Sequence, residues 1–167
     1  MTMQEPTVGA PVRSLRTWLD HLMRKGCLAV SRPGIDLRFQ LAAIAKHPDG
    51  RQATIFPDAG GSGRTVISGL ASSRQWMAEA MGCAQKALLE RFQHAALNPI
   101  PSREVTGAPA QEVVHTDVDL GKLLPLPTHN EHDSGPYITA GLAIVRNPSN
   151  GIQNVSIHRL QLNSPRR

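Results

Sequence analysis

Within six residues, Asn154-Val155-Ser156-Ile157-His158-Arg159 sets an amide, a hydroxyl, an imidazole and a guanidinium into a run otherwise built from Val, Ile and Leu. An extended chain alternates its side chains, so Asn154, Ser156 and His158 share one face and Val155, Ile157 and Arg159 the other. Asparagine offers a neutral oxygen suited to a hard divalent ion such as Mg²⁺ or Mn²⁺. Arginine offers a planar fork that grips a carboxylate or phosphate through two parallel hydrogen bonds. The plainer alternative is an antiparallel strand with a solvated face, where Asn, Ser and His need no explanation. Asn154 and Arg159 stand five positions apart, which a regular strand sends to opposite faces. If both serve one site, the strand must bulge or end between them.

Other polar groups are weaker candidates. His129-Asn130-Glu131-His132-Asp133 has a metal-like composition but lacks the His-Glu-x-x-His spacing and sits between prolines and a glycine, as an exposed loop does. His115 and Asp117 read as surface residues. The loop Asp58-Ala59-Gly60-Gly61-Ser62-Gly63 lacks the Gly-Lys-Ser/Thr ending and the following helix of a phosphate cradle, and reads as a plain flexible loop. Cys27 and Cys83 fit no zinc or CxxC spacing and read as reduced thiols.

The elements that must position these groups fall into two stretches. Residues 1–12 form a polar tail. Ser14 caps a helix with Leu15, Trp18, Leu19, Leu22 and Met23 on one face, ended by Gly26. Leu28-Ala29-Val30 is a short strand. Asp36 caps a second helix carrying Leu37, Leu41, Ile44 and Ala45, closed at His47-Pro48-Asp49-Gly50. Two short strands follow, at 53–56 and 64–68. Ser72 and Gln75 make a capping box for a helix holding Trp76, Ala80 and Met81. A further helix at 83–96 ends at Asn98-Pro99. Beyond Pro101 helical signals fade. Residues 111–114 are a lone strand candidate, and from Tyr137 strands dominate, with a turn at Asn147-Pro148-Ser149-Asn150-Gly151. The expected fold is α+β: an N-terminal α/β domain over residues 13–100, then the opening of a β-rich domain over 101–167.

With 167 residues, 40% of them apolar and 19% charged, the chain can bury a core. The net charge of +5 is spread along the sequence without aromatic interleaving, which argues against nucleic-acid binding. No apolar run reaches the roughly 18–20 residues a membrane crossing needs, and no signal-peptide core opens the chain, so the expected location is the cytoplasm.

Several blocks in order resemble one family. They are Pro99-Ile100-Pro101-Ser102-Arg103-Glu104-Val105, Ala110-Gln111-Glu112-Val113-Val114-His115, Leu124-Pro125-Leu126-Pro127-Thr128-His129, Gly135-Pro136-Tyr137-Ile138-Thr139-Ala140-Gly141 and Asn154-Val155-Ser156-Ile157-His158-Arg159. Together they resemble the N-terminal third of the UbiD-like decarboxylases, over nearly all of residues 13–167. The resemblance implies a reversible, non-oxidative decarboxylase of aromatic, heteroaromatic or α,β-unsaturated acids, built on prenylated FMN with Mn²⁺ and often K⁺. It implies a flavin-binding split β-barrel whose opening lies in residues 101–167. By matching position, Asn154 would ligate the divalent ion. Ser156, Ile157, His158 and Arg159 would lie along the cofactor, with Arg159 paired to a catalytic glutamate. His158 stands where relatives often carry Tyr or Ala. The family's remaining metal ligands (a His and a Glu), its acidic catalytic residues and its oligomerisation domain match nothing within residues 1–167. The chain alone is therefore expected to be inactive and to need a C-terminal portion or a partner subunit, with a homo-oligomer as the complete form. A rival from a different class is a non-catalytic scaffold or flavin-binding module that works only with a partner subunit.

Overall fold

The computed structural model describes residues 11–165; the tail expected at 1–12 lies, as far as Ala10, outside the described residues. The chain divides into two compact units. The first comprises Met1–Ala29, Pro48–Thr54 and Ile67–Val114, the second Val30–His47, Ile55–Val66 and His115–Arg167.

In the first unit, α1 (Leu15–Arg24) begins where the Ser14 side chain accepts the Thr17 N–H, and ends where Gly26 adopts φ +68°, a conformation glycine reaches without steric cost. Its buried residues are Trp18 and Leu22, one turn apart. They pack with Ala53 and Trp76, the latter on α3 (Arg74–Ala80), and the Trp18 indole N–H donates to the Leu70 carbonyl at 3.0 Å. Burying such side chains contributes about 1.5–3 kcal/mol each. The α3 cap sits one residue later than its sequence suggests. Ser73, not Ser72, accepts the Trp76 N–H, because the Ser72 hydroxyl donates to the Gly69 carbonyl. The next helix also starts later than expected: a 3-10 turn at Gln85–Ala87 leads into α4 (Leu88–Leu97). The strand expected at 111–114 is absent. A 3-10 turn at Pro109–Gln111 takes part of it, and Val113 and Val114 are exposed.

Three short strands, β1 (Leu28–Val30), β2 (Ala53–Phe56) and β3 (Val66–Ser68), pair in the order β1-β2-β3.

In the second unit a separate core gathers Ile35, Leu41, Phe56 and Ala59, with Leu37, Ile44, Ala45 and Val66 against it. Here α2 (Gln40–Lys46) starts three residues later than a cap at Asp36 implies. The Asp36 carboxylate does bind a backbone amide, that of Arg38, but the chain then turns through Phe39 at φ +66°. Leu37 and Phe39 instead form backbone hydrogen bonds with Thr128, around a parallel bridge between Arg38 and Thr128. The glycine loop is more ordered than expected. Ala59–Gly61 is a 3-10 turn on the fully buried Ala59, and the Asp58 carboxylate accepts the Gly63 N–H at 2.7 Å.

Asp119 caps the short α5 (Leu120–Leu123), an element without an obvious hydrophobic period. The chain then runs into β4 (Tyr137–Arg146) and β5 (Gln153–Gln161), which pair antiparallel as a two-stranded ladder. The fold is mixed helix and sheet, as expected, and the ladder is open rather than closed into a barrel. No helix among the described residues is long and apolar enough to cross a membrane.

Candidate functional site

The residues singled out by their chemistry all fall on β5, and β5 is anchored at its base by the blocks that precede it. Buried Pro127 gives its carbonyl to the Tyr137 N–H at 3.2 Å, and Thr128 bonds back to Leu37 and Phe39. The Leu162 N–H reaches the Pro136 carbonyl at 3.0 Å, closing the open end of the hairpin. At the other end the loop is set by its own amides. Asn147 Oδ1 accepts the Ser149 N–H, Asn150 Oδ1 accepts the Ile152 N–H, and Gly151 bonds back to Asn147.

Between these ends the register is regular from Arg146↔Gln153 to Gly141↔His158. Asn154, Ser156 and His158 therefore share a face with Val145, Ala143 and Gly141. The Ser156 hydroxyl and His158 Nε2, 2.9 Å apart, form a hydrogen bond. The Asn154 side chain is exposed and makes no hydrogen bond among the described residues. The opposite face is apolar and wet: Leu142, Ile144, Val155 and Ile157 are all more than half exposed.

The irregularity that a joint role for Asn154 and Arg159 demands of β5 is not there, and the one irregularity of the ladder lies in β4. Pairing slips between Ile138 and Gly141, so β4 carries one extra residue opposite Arg159. The bulge explains why residue 141 is glycine. A Cβ there would stand 3.1 Å from the His158 carbonyl oxygen. β5 itself is continuous, and alternation leaves Arg159 on the face of Val155 and Ile157. Its guanidinium carbon lies 6.0 Å from the centre of the Tyr137 ring. Tyr137 pairs with Gln161, and both side chains converge on Ser134: Gln161 Nε2 donates to Ser134 Oγ at 2.6 Å, and Tyr137 Oη lies 3.1 Å from the same oxygen.

The structure thus divides the five expected site residues. Asn154, Ser156 and His158 stand on one face, and Ile157 and Arg159 on the other. Tyr137 stands inside the Gly135–Gly141 block, and nothing local in the sequence gives Ser134 or Gln161 a role. The signal for them was the hairpin register, which places residues 137 and 161 opposite each other. The loop is exposed from His129 to His132 and folded on itself, with the half-buried Asp133 accepting the Asn130 N–H and Asn130 the His132 N–H. Among the described residues no three His, Cys, Asp or Glu side chains are grouped to hold a metal.

The sequence matches two models of one family. The 3-octaprenyl-4-hydroxybenzoate carboxy-lyase N-terminal domain matches residues 19–96, and the Rift-related domain of the same carboxy-lyase matches residues 103–167. The chain belongs to the UbiD-like decarboxylase family. Among its UbiD relatives, an anhydromevalonate phosphate decarboxylase from Methanothermobacter thermautotrophicus is 31% identical over 149 residues, covering 89% of this chain and 34% of that protein. Two solved structures superpose well. The UbiD-class enzyme HmfF from Pelotomaculum thermopropionicum, in an evolved dimeric form in complex with prFMN, gives a TM-score of 0.87 at 43% identity, over 91% of this chain and 36% of that one. The apo 3,4-dihydroxybenzoic acid decarboxylase from Enterobacter cloacae gives 0.81 at 29% identity, over 93% and 36%. The chain spans about a third of the length of the curated relatives it matches, 33–36% for the first three.

Proposed function

We propose that this chain forms the N-terminal, cofactor-binding part of a reversible non-oxidative decarboxylase of aromatic, heteroaromatic or α,β-unsaturated carboxylic acids. The observation that carries the reading is the composition of β5. An unengaged amide, a hydroxyl–imidazole pair and a guanidinium lie along one strand of the Rift-related match, in a chain that superposes on an enzyme solved with prFMN.

The donor set fits a shared site rather than a self-sufficient one. Asn154 carries a free amide oxygen and would serve as one ligand to Mn²⁺, with K⁺ nearby. A divalent ion of this kind takes about six donors, so the rest would come from further polypeptide or from a partner subunit. Ile157 and Arg159 would line the cofactor from one face of β5, and Ser156 and His158 from the other or through the strand edge. When bound, prenylated FMN supplies the electron sink for the carbanion left by loss of CO₂. Arg159 holds and orients a carboxylate, either that of the substrate or that of an acid that returns the proton. The exposed aliphatic face leading to Arg159 suits an acid with a flat apolar body.

Two substitutions in the whole protein, co-expressed with a flavin prenyltransferase, test this. Arg159→Lys should fold and retain flavin but lose roughly ten- to a hundredfold in turnover and in solvent-deuterium exchange, the size of one charged hydrogen bond at about 1.5–3 kcal/mol. Asn154→Ala should lower bound metal and bound flavin together, read by elemental analysis and the visible spectrum. Full metal and flavin content in Asn154→Ala, with near-normal turnover in Arg159→Lys, would remove both residues from the site. Flavin binding without CO₂ release by the whole protein, across cinnamic, hydroxybenzoic and heteroaromatic acids, would favour the non-catalytic module.

A further inference from the structure

Arg159 is useful as a fork only if the fork is aimed. An arginine on an exposed strand samples many rotamers, and on β5 no carboxylate among the described residues holds it. What the structure places beside it is the face of an aromatic ring, at the outer limit of a cation–π contact. Tyr137 and Arg159 are diagonal neighbours across the ladder, because Tyr137 pairs with Gln161. The ring is itself fixed. Its hydroxyl meets Ser134, Ser134 also accepts from Gln161, and the Tyr137 backbone is tied to Pro127. The bulge opposite Arg159 adds local twist at the position where the fork leaves the strand.

We propose that Tyr137 is a positioning residue for Arg159, with Ser134 and Gln161 as the brace that sets the ring. The ring removes part of the rotamer freedom of Arg159 and leaves the outer edge of the guanidinium free for a carboxylate at the end of the Leu142–Ile157 face. This rests on the reading above that Arg159 engages a carboxylate, but the contact itself can be tested without turnover.

Tyr137 is the only tyrosine in the chain, so ring-¹³C-labelled protein gives a single set of tyrosine signals. Arg159→Gln should shift those signals, whereas Arg146→Gln, on the far end of β4, should not. Modification of Arg159 by phenylglyoxal, followed on its own peptide by mass spectrometry, should accelerate about two- to fivefold in Tyr137→Leu. It should stay within twofold of the unsubstituted chain in Tyr137→Phe, which keeps the ring. Ring signals indifferent to Arg159→Gln, or equal modification rates in all three proteins, would overturn the proposal even if Arg159→Lys abolishes turnover. Shifted signals with full turnover in Arg159→Lys would leave the positioning intact and overturn the catalytic role instead.

Discussion

The contact between α1 and α3 and the hairpin of β4 and β5 use similar side chains to opposite ends. At the helices the half-buried polar groups are engaged with one another. The Glu79 carboxylate, its side chain only 16% exposed, takes Lys25 Nζ at 2.5 Å, His21 Nε2 at 2.8 Å and Gln75 Nε2 at 2.9 Å. His21 in turn stacks on Trp18, with ring centres 5.1 Å apart. On the hairpin the amide of Asn154 is unengaged, and the apolar face of Leu142, Ile144, Val155 and Ile157 is open to solvent. Groups already satisfied hold a fold together, and groups left unsatisfied are available to a ligand or to more polypeptide. On the proposed function, the first region supplies stability and the second supplies binding.

The largest expected effect tests the stability half. Trp76 is 5% exposed and packs against Trp18, Leu22 and Ala53. Trp76→Ala should cost about 3–5 kcal/mol in urea unfolding followed by Trp18 fluorescence, through lost burial and the cavity left behind. A loss under about 1 kcal/mol would mean that this cluster is not the core it looks to be.

An intermediate effect comes from acid. Burial by itself would raise the Glu79 pKa, but hydrogen bonds from Lys25, Gln75 and His21 outweigh it and bring the group from 4.5 down to about 2. Because the folded value is depressed, the stabilisation is fully present above pH 4.5 and is lost as pH falls toward 2. Allowing for solvent screening, the loss should be about 1–2 kcal/mol. Glu79→Gln, which keeps the hydrogen-bonding shape without the charge, should flatten the stability–pH curve across that window. An unchanged acid limb would show that the network is not what the protein loses first in acid.

The same contrast explains what the sequence could and could not reveal. Ser14, Trp18, Leu22 and Gly26 describe α1 almost completely, since a cap, a 3.6-residue period and a terminating glycine are all local. The hairpin was legible for a similar reason, through strand-forming runs on either side of a turn rich in Asn, Pro and Gly. Elsewhere a competing partner decides the outcome, distant for Asp36 and only three residues away for Ser72. Asp36 looks like a helix cap, but Leu37 and Phe39 are taken by Thr128, so α2 starts later. Ser72 looks like the cap of α3, yet its hydroxyl is committed to Gly69. Residues 111–114 have strand character but find no strand to pair with. For the site, residue types on β5 were readable and the division between faces follows from period two. The bulge in β4 and the Tyr137 ring beside Arg159 depend on cross-strand register, which spacing within β5 does not encode.

The smallest expected effect is the one that sharpens the comparison most. Ile157 is 75% exposed. Removing most of a side chain that already faces water gives up little burial, so Ile157→Ala in this chain should change stability by no more than about 0.5 kcal/mol. The binding half of the comparison requires a different answer once that face is occupied. In the whole protein, with flavin bound, the same substitution should cost about 2–5 kcal/mol of stability, the ordinary result of truncating a buried Ile. The two measurements together separate an incidental surface isoleucine from one held in reserve for an occupant. A small effect in both settings would mean that the face stays wet, and Arg159 would then lack the apolar floor that directs an acid toward it. A large effect in this chain alone would mean that the hairpin is already covered, and the contrast between the two regions would fail.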